Sequence, residues 1–334
     1  MTSAKIIVPL SLTFFFSILL SCQPISKEQT SVPVVNVSSP ENKETIRKPL
    51  LISSDFGRSW QNVSGNLPDD IQASFLELKG EEIVMATDNL GLWLSGQNRT
   101  TWKEIGQGLP AKKINALYVS GEEIYVGVYR EGIYRSSDEG QTWTSLNFDL
   151  PNLSVQAINV YKDRVFVGTD LGIYQLNAEE RYWEAAIIGP QVLSIYDFDD
   201  KLIAGSSQGS LLSSDGGKSW KWIRQEGAIH YTHNIGKRIY ELVLNGDLMY
   251  SDDWGESWTE TFYEPRSGSY VYEIAQVGEI LVMSNNYGIH ISEDHGVTWT
   301  QTYPTEEMGF IDFLVIGEQI YGGTRAWDEY RKRN

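Results

Sequence analysis

The 334-residue sequence has one cysteine, Cys22, and four histidines. A single thiol leaves no internal disulfide to form, so the fold must be held together by packing. No glycine-rich phosphate loop, cysteine pair or Ser-His-Asp signature can be placed. His230 and His233 form a lone His-x-x-His without a third ligand in view. The sequence therefore predicts no metal site and no cofactor.

Positive charge is also scarce. The 27 Lys and Arg residues are outnumbered by 44 Asp and Glu, which gives a formal net charge of −17. Such a surface repels nucleic-acid phosphates and keeps a protein soluble, so nucleic acid is not expected as a partner and the protein is expected to be a monomer. With 41% hydrophobic residues, the chain is rich enough in apolar side chains to form one large domain.

Long hydrophobic runs are absent with one exception, residues 6–20, which follow Lys5. This run is shorter than the roughly 20 residues that span a membrane, but it fits the apolar region of a signal peptide. It ends Leu19-Leu20-Ser21-Cys22 and resembles the lipobox of bacterial lipoproteins. That resemblance implies cleavage after residue 21 and lipidation of Cys22. An ordinary signal peptide that happens to contain a cysteine is the alternative.

Residues 22–48 are rich in Ser, Thr, Pro and charge and show no sustained period, so they are predicted to form a flexible tether. By the lipoprotein resemblance, Gln23 after the cysteine permits transport to the outer membrane. The prediction is an exported protein of the bacterial cell envelope, held there as an outer-membrane lipoprotein.

A repeat fills the rest of the chain. Five stretches follow the pattern Ser-x-Asp-x-Gly-x-(Ser/Thr)-Trp, and two eroded copies end at Trp102 and Trp183, with successive copies about 40 residues apart. The aspartates and tryptophans of the five intact copies are Asp55 and Trp60, Asp138 and Trp143, Asp215 and Trp220, Asp253 and Trp258, and Asp294 and Trp299.

Each repeat contains four short segments with strand character, of which residues 114–146 are the clearest. Four strands in a period of about 40 residues are typical of a β-propeller blade. Residues 49–65 supply only the last two strands of a repeat, and residues 309–323 supply only the first two. We therefore predict an all-β, seven-bladed β-propeller at residues 49–323, with one blade shared between the N- and C-terminal segments. Residues 324–334 form a C-terminal tail.

The repeats resemble the Asp-box, or BNR-like, repeats of sialidases, xyloglucanases, sortilin-type receptors and photosystem II assembly-factor propellers. The repeated carboxylates are interpreted as structural, because an aspartate can accept hydrogen bonds from the amides of its own turn. A calcium site is the alternative, but the spacing lacks the alternating oxygen ligands and distal Glu of a calcium loop.

In the propellers that this chain resembles, ligands usually bind at the face made by the loops between strands B and C and between strand D and the next strand A. On that face we predict ligand-binding residues, with ordinary solvated loop residues as the alternative interpretation. The predicted residues are Tyr129, Arg130, Asp170, Asn286, Tyr287, Arg266 and Arg325.

The resemblance is specific for the repeat but not for an activity. The Arg-Ile-Pro motif and six-blade count of sialidases are absent, and so is the second propeller of xyloglucanases. These departures favour a non-enzymatic envelope lipoprotein that binds a protein or glycan on its loops, with an assembly-factor role as one form of that function. The alternative is a glycoside hydrolase or a lyase, which a deep channel lined by carboxylates would favour.

Overall fold

The computed structural model describes residues 49–177, 179, 181–262, 270–305 and 308–326. All regular secondary structure in these residues is β-strand, arranged as seven antiparallel sheets of four strands. No helix in this part of the chain is long and apolar enough to cross a membrane. The predicted signal peptide, tether and most of the predicted tail lie outside the described residues.

The sheets are seven blades, each with strands in the order A, B, C, D. In chain order the strands are β1 (Leu50–Ser53), β2 (Gln61–Asn62), β3 (Ala73–Lys79), β4 (Glu82–Thr87), β5 (Leu92–Ser95), β6 (Trp102–Glu104), β7 (Ile114–Ser120), β8 (Glu123–Val128), β9 (Gly132–Ser136), β10 (Thr144–Ser145), β11 (Val155–Tyr161), β12 (Arg164–Thr169), β13 (Gly172–Asn177), β14 (Tyr182–Ile188), β15 (Val192–Phe198), β16 (Lys201–Ser206), β17 (Gly209–Ser213), β18 (Lys221–Arg224), β19 (Ile229–Ile235), β20 (Arg238–Val243), β21 (Leu248–Ser251), β22 (Thr259–Phe262), β23 (Val271–Val277), β24 (Ile280–Asn285), β25 (Gly288–Ser292), β26 (Thr300–Pro304), β27 (Met308–Ile316) and β28 (Gln319–Ala326).

Blades 1 to 6 are β3–β6, β7–β10, β11–β14, β15–β18, β19–β22 and β23–β26. Blade 7 combines β27 and β28 with β1 and β2, so its strands come from both ends of the described chain. Leu50 pairs with Gly323 and Ser53 with Ile320 in this blade. The predicted seven-bladed propeller with one shared blade is confirmed, although β28 continues three residues past the predicted boundary at 323.

The A strands lie innermost, because each contacts the A strands of both neighbouring blades, and β27 contacts β3 to close the ring. The apolar cores lie between blades. In one of them Val84 and Leu92 of blade 1 pack with Ile114 and Leu117 of blade 2. The B strands are therefore buried on both faces.

The repeated aspartates lie in the turns between strands C and D. Asp138 accepts hydrogen bonds from the backbone N–H of Thr142 at 2.9 Å and from the hydroxyls of Thr142 at 2.6 Å and Ser136 at 2.8 Å. These donors, Thr142 foremost, hold the pKa of Asp138 at about 2. Gly140 takes a positive φ of 76°, and a Cβ there would lie 2.7 Å from the carbonyl oxygen of Ile105 in the preceding blade.

The same aspartate contacts recur at the other four intact copies. Several repeat tryptophans also tie adjacent blades together. The indole N–H of Trp143 donates to Ile105 O at 3.1 Å, and that of Trp183 donates to Leu146 O at 2.8 Å. These contacts support the interpretation of the repeat as a structural device, which remains a prediction for the individual residues.

Candidate functional site

The two ends of the ring differ in the connections that form them. The A–B turns and the C–D turns form one end, called the Asp-box face. The B–C loops and the connections from strand D to the next strand A form the other, called the loop face. The A strands run between the two faces and enclose a central channel with a cavity of about 490 Å³. This volume lies within the range of small-molecule sites.

Polar side chains replace apolar ones at one repeated position of the channel. Each A strand has a register shift near its start, and positions on different blades can be matched by counting from it. The fourth residue after the start of the shift is Glu77, Tyr118, Asn159, Tyr196 and His233 on blades 1 to 5, respectively. On blades 6 and 7 the equivalent residues are Ala275 and Leu314. Five consecutive blades therefore present a polar arc to the channel.

Two further carboxylates stand two residues earlier on blades 6 and 7, namely Glu273 and Asp312. Asp312 Oδ2 accepts the backbone N–H of Leu76 at 2.5 Å. Glu273 is 4% exposed, and its Oε1 accepts a hydrogen bond from the backbone N–H of Ile274 at 2.9 Å. The same oxygen lies 2.8 Å from His233 Nε2. Together with Glu77, three consecutive A strands carry an acidic side chain.

The electrostatic setting of these carboxylates follows from their depth in the ring. Burial raises the pKa of Glu77 to about 7. Burial, with the negative charge of Glu273 beside it, raises the pKa of Asp312 well above its ordinary value. Burial also lowers the pKa of His230 to about 4, and nearby His233 adds to the effect. No group of three His, Cys, Asp or Glu in the described residues is arranged to hold a metal ion.

The loop residues predicted from the sequence lie around the channel and not in its wall. Tyr129 is 38% exposed, and the guanidinium of Arg130 lies 5.0 Å and the Lys113 ammonium 4.8 Å from its ring centroid. Asp170 accepts hydrogen bonds from the side-chain amides of Gln191 at 2.7 Å and Gln156 at 3.4 Å.

The remaining predicted residues are spread around the loop face. Asn286 and Tyr287 lie in the B–C loop of blade 6, three blades from Tyr129 around the ring, and Asn286 exchanges hydrogen bonds with the backbone of Tyr270. Arg325 donates to the Ser74 hydroxyl at 3.0 Å. Arg266 lies outside the described residues. Tyr129 and Arg130 are thus brought into contact, but the predicted residues do not form one compact cluster.

The channel carboxylates are not among the residues predicted from the sequence, which all belong to loops or follow the last predicted strand. A signal was nevertheless available. Once the repeats are aligned, Glu77, Glu273 and Asp312 are charged residues inside short A strands that are otherwise mostly apolar. A charge inside a strand that packs at the centre of a ring is a reason to look for a site.

Exposed apolar side chains are concentrated on the loop face. Eight large apolar residues of the described chain are more than a third exposed. Val297 lies in a C–D turn, and Phe148 packs against the guanidinium of Arg181. The other six lie in B–C loops or D–A connections or, for Ile188, at the last residue of a D strand, and they are Tyr129, Leu153, Leu171, Ile188, Leu244 and Tyr270.

Four of these six are neighbours on blades 2 and 3, and Tyr129, Leu153, Leu171 and Ile188 are here called the apolar patch. The backbone N–H of Gly132, in the loop of Tyr129, donates to Leu153 O at 3.0 Å. The N–H of Gly189, next to Ile188, donates to Leu171 O at 3.1 Å. These bonds join the loop of Tyr129 to that of Leu153, and the loop of Leu171 to the end of β14 at Ile188.

No protein-family model and no curated protein matches this sequence. Solved structures match its fold. YCF48 bound to D1 peptide has a TM-score of 0.62 and 17% identity, over 76% of this chain and 92% of that one. The extracellular domain of a one-component system from B. thetaiotaomicron has a TM-score of 0.64 and 13% identity, over 76% of this chain and 37% of that one. The GH74 xyloglucanase from Xanthomonas campestris has a TM-score of 0.56 and 14% identity, over 69% of this chain and 45% of that one.

These likenesses and the blade pattern define the class of the chain, which is a seven-bladed β-propeller. The chain spans less than half of the sensor and xyloglucanase chains that it matches. At such identities the likeness concerns the fold, and a binding protein, a sensor domain and a glycoside hydrolase all share it.

Glu77 should make the stability of the propeller depend on pH. Its pKa is about 7 in the fold and 4.5 ordinarily, so between these values the folded state binds more protons than the unfolded chain. Stability should therefore fall as pH rises from about 4.5 to 7. Glu77→Gln should be more stable than the wild type at pH 8 by about 1–3 kcal/mol and nearly equal at pH 4.5.

Urea unfolding at the two pH values measures this difference. The exposed Glu81, in the turn after β3, provides a matched control as Glu81→Gln, which should follow the wild type at both pH values. A Glu77→Gln protein that keeps the wild-type pH dependence would show that Glu77 is already ionised in the fold at pH 5.

Proposed function

We propose that this chain is an exported, non-enzymatic propeller that binds an extended protein segment on its loop face. The observation that carries the proposal is the one-sided distribution of exposed apolar side chains, six of which lie at this face. A solvent-exposed apolar patch on one face of a protein is typical of a binding surface. The opposite face carries Val297 as its one large apolar side chain of comparable exposure among the described residues.

The apolar patch has the features of an anchor site for a peptide. Tyr129 offers a ring that lies beside two cationic groups, and Ile188, at 73% exposure, offers an aliphatic surface at the end of β14. Aromatic and Arg side chains dominate the energetics of many interfaces. The YCF48 structure, which contains a bound peptide, supports a protein segment as the occupant. A glycan that stacks on Tyr129 is the other form of the proposal.

Export and lipidation belong to the same proposal. The apolar run at 6–20, the Leu-Leu-Ser-Cys junction at Cys22 and the Ser- and Pro-rich segment after it support an envelope lipoprotein. Solved propellers of this fold include extracellular domains of bacterial proteins.

The experiment is a selection of binders followed by matched substitutions. Displayed peptides and a glycan array are screened on the purified protein, and the affinities of the best binders are measured. Tyr129→Ala and Ile188→Ala should each weaken binding about fivefold or more without lowering the melting temperature. Val297→Ala, which removes an aliphatic side chain of 67% exposure from the Asp-box face, should change neither.

Two outcomes count against the proposal. Binders that are insensitive to Tyr129→Ala and Ile188→Ala would place the binding surface elsewhere. Binders that lose affinity equally with Val297→Ala would show adhesion without a defined site. If only glycans are recovered and Tyr129→Ala abolishes their binding, the glycan form of the proposal replaces the peptide form.

A glycoside hydrolase is the second candidate, and the channel carboxylates favour it. A carboxyl with a pKa near 7, as at Glu77, can act as a general acid at neutral pH, and a second carboxylate can serve as base or nucleophile. Hydrolysis of oligosaccharides that vanishes in Glu77→Gln, while Tyr129→Ala remains active, would replace the binding proposal by this one.

A further inference from the structure

We propose that the central channel is a binding site for a primary alkylammonium group, presented by a small amine or by a lysine side chain. The site is formed by Glu77, Asn159, Tyr196, Glu273 and Asp312, on A strands of five different blades, and is here called the channel site. It is separate from the apolar patch, because none of the four patch residues lines the channel.

The charge of the channel wall is unbalanced. The cavity is lined by four carboxylates, those of Glu77, Asp197, Glu273 and Asp312, and by no lysine or arginine among the described residues. His233, beside Glu273, is the one lining side chain that could carry a positive charge. Carboxylates held away from bulk water are stabilised by a cation that reaches them, so an ammonium group would complete this wall.

A hydrogen-bond acceptor in the wall lacks a donor. Asn159 is 1% exposed, and its Nδ2 donates to Asp197 Oδ1 at 3.0 Å, which fixes the orientation of the amide. Its Oδ1 has no donor within the described chain, and neither has Oδ1 of Asn234, which also lines the cavity. A buried polar atom of this kind normally has a partner. The missing partner must donate, as the three N–H groups of an ammonium do.

The aromatic rings of the channel wall also favour a cation as the ligand. Tyr118, Tyr196 and Tyr231 lie in the same wall, and a ring face attracts an ammonium within about 6 Å. A bare metal ion fits less well, since no three His, Cys, Asp or Glu of the described chain are arranged to hold one. A cavity of about 490 Å³ has room for a short alkyl chain behind the ammonium.

Titration calorimetry of the purified protein tests the channel site. The probes are 1,4-diaminobutane, the blocked lysine Nα-acetyl-lysine methylamide, and 1,4-butanediol, which is a neutral analogue of the diamine. We expect the diamine to bind saturably with one equivalent and the diol not to bind. Binding of the blocked lysine as well would identify a partner's lysine side chain as a source, whereas binding of the diamine alone would identify a free amine.

The matched variants separate a built site from the general attraction of an acidic protein. Glu77→Gln with Asp312→Asn should weaken diamine binding tenfold or more. Glu226→Gln with Glu256→Gln removes the same charge from two exposed positions and should change the affinity less than twofold. Tyr129→Ala should leave diamine binding unchanged, so failure of this inference and failure of the loop-face proposal are distinguishable.

Absence of diamine binding to the wild type would overturn the inference. Equal losses in the two double variants, or equal affinities for the diamine and the diol, would do so as well. Circular dichroism confirms that the variants are folded. If the channel variant is not, the comparison of diamine with diol on the wild type still decides between a cation site and a merely polar cavity.

Discussion

A chain that ends at Thr305 should lose the cooperative unfolding of the propeller. This truncation removes β27 and β28, and β28 is the strand that pairs with β1. Leu50 and Leu51, at 0% and 1% exposure, would lose the strand that covers them, and Trp60 would lose its contact with Phe310 at a centroid distance of 4.6 Å. The open ring would expose the apolar faces of blades 1 and 6 that pack against blade 7, and it would leave one edge of β1 unpaired.

Circular dichroism and tryptophan fluorescence during heating measure the loss. The wild type should unfold in one transition seen by both probes, and the truncated chain should show a broad or probe-dependent change and should bind a hydrophobic dye. Equal melting temperatures and equally sharp transitions would mean that blade 7 is dispensable and that closure does not hold the ring together.

A circular permutant is the matched control. It begins at Asp70 and ends at Asp69, two exposed neighbours, with Ala326 joined to Pro49 by a short glycine linker. Blade 7 then becomes continuous in the chain, and every strand pairing is retained. We expect this protein to unfold cooperatively, because the stability of the ring depends on the pairing of β1 with β28 and not on the order of the chain.

The second large effect should come from a buried ion pair between blades 4 and 5. Arg224 Nη1 lies 3.0 Å from Glu241 Oε2, and the two side chains are 14% and 0% exposed. Burial raises the pKa of Glu241, and the guanidinium of Arg224 partly offsets this. Arg224→Met should destabilise the protein by about 3–5 kcal/mol at pH 8, because it leaves a carboxylate buried without its partner.

The double variant Arg224→Met with Glu241→Met should lose much less, since it removes both charges and keeps the volume. Urea unfolding is measured for the wild type, for the single variants Arg224→Met and Glu241→Met, and for the double variant. The four free energies of unfolding should give a coupling free energy of at least about 2 kcal/mol between the two side chains. Without Arg224 the pKa of Glu241 should rise further, so the penalty of Arg224→Met should shrink as pH falls and the carboxyl accepts a proton. If the loss of stability in the double variant equals the sum of the two single losses, the interaction between Arg224 and Glu241 does not stabilise the fold.

The architecture was predictable because its causes are local. The turn around Asp138 is fixed by hydrogen bonds to Ser136 and Thr142 and by the positive φ of Gly140, all within one stretch of eight residues. A tryptophan recurs with each turn, and the spacing of these tryptophans reports the length of a blade. The half repeats at the two ends then require that one blade be shared, as the pairing of β1 with β28 shows.

Burial of the B strands on both faces was not predictable from alternation alone. Ile124 and Val126 follow the alternating pattern, yet Tyr125 between them is also buried. The pattern describes one sheet, and the second buried face exists only because the next blade of the ring packs against it.

By itself the sequence determined the class of fold, the number of blades and the way in which the ring closes, because each of these depends on contacts within a repeat or on counting repeats. Only the tertiary structure decided the sites. Glu77, Glu273 and Asp312 lie in distant parts of the sequence, and they meet because the ring places their strands side by side. The raised pKa values of Glu77 and Asp312 and the exposure of Ile188 depend on all the atoms around them, which no local pattern records.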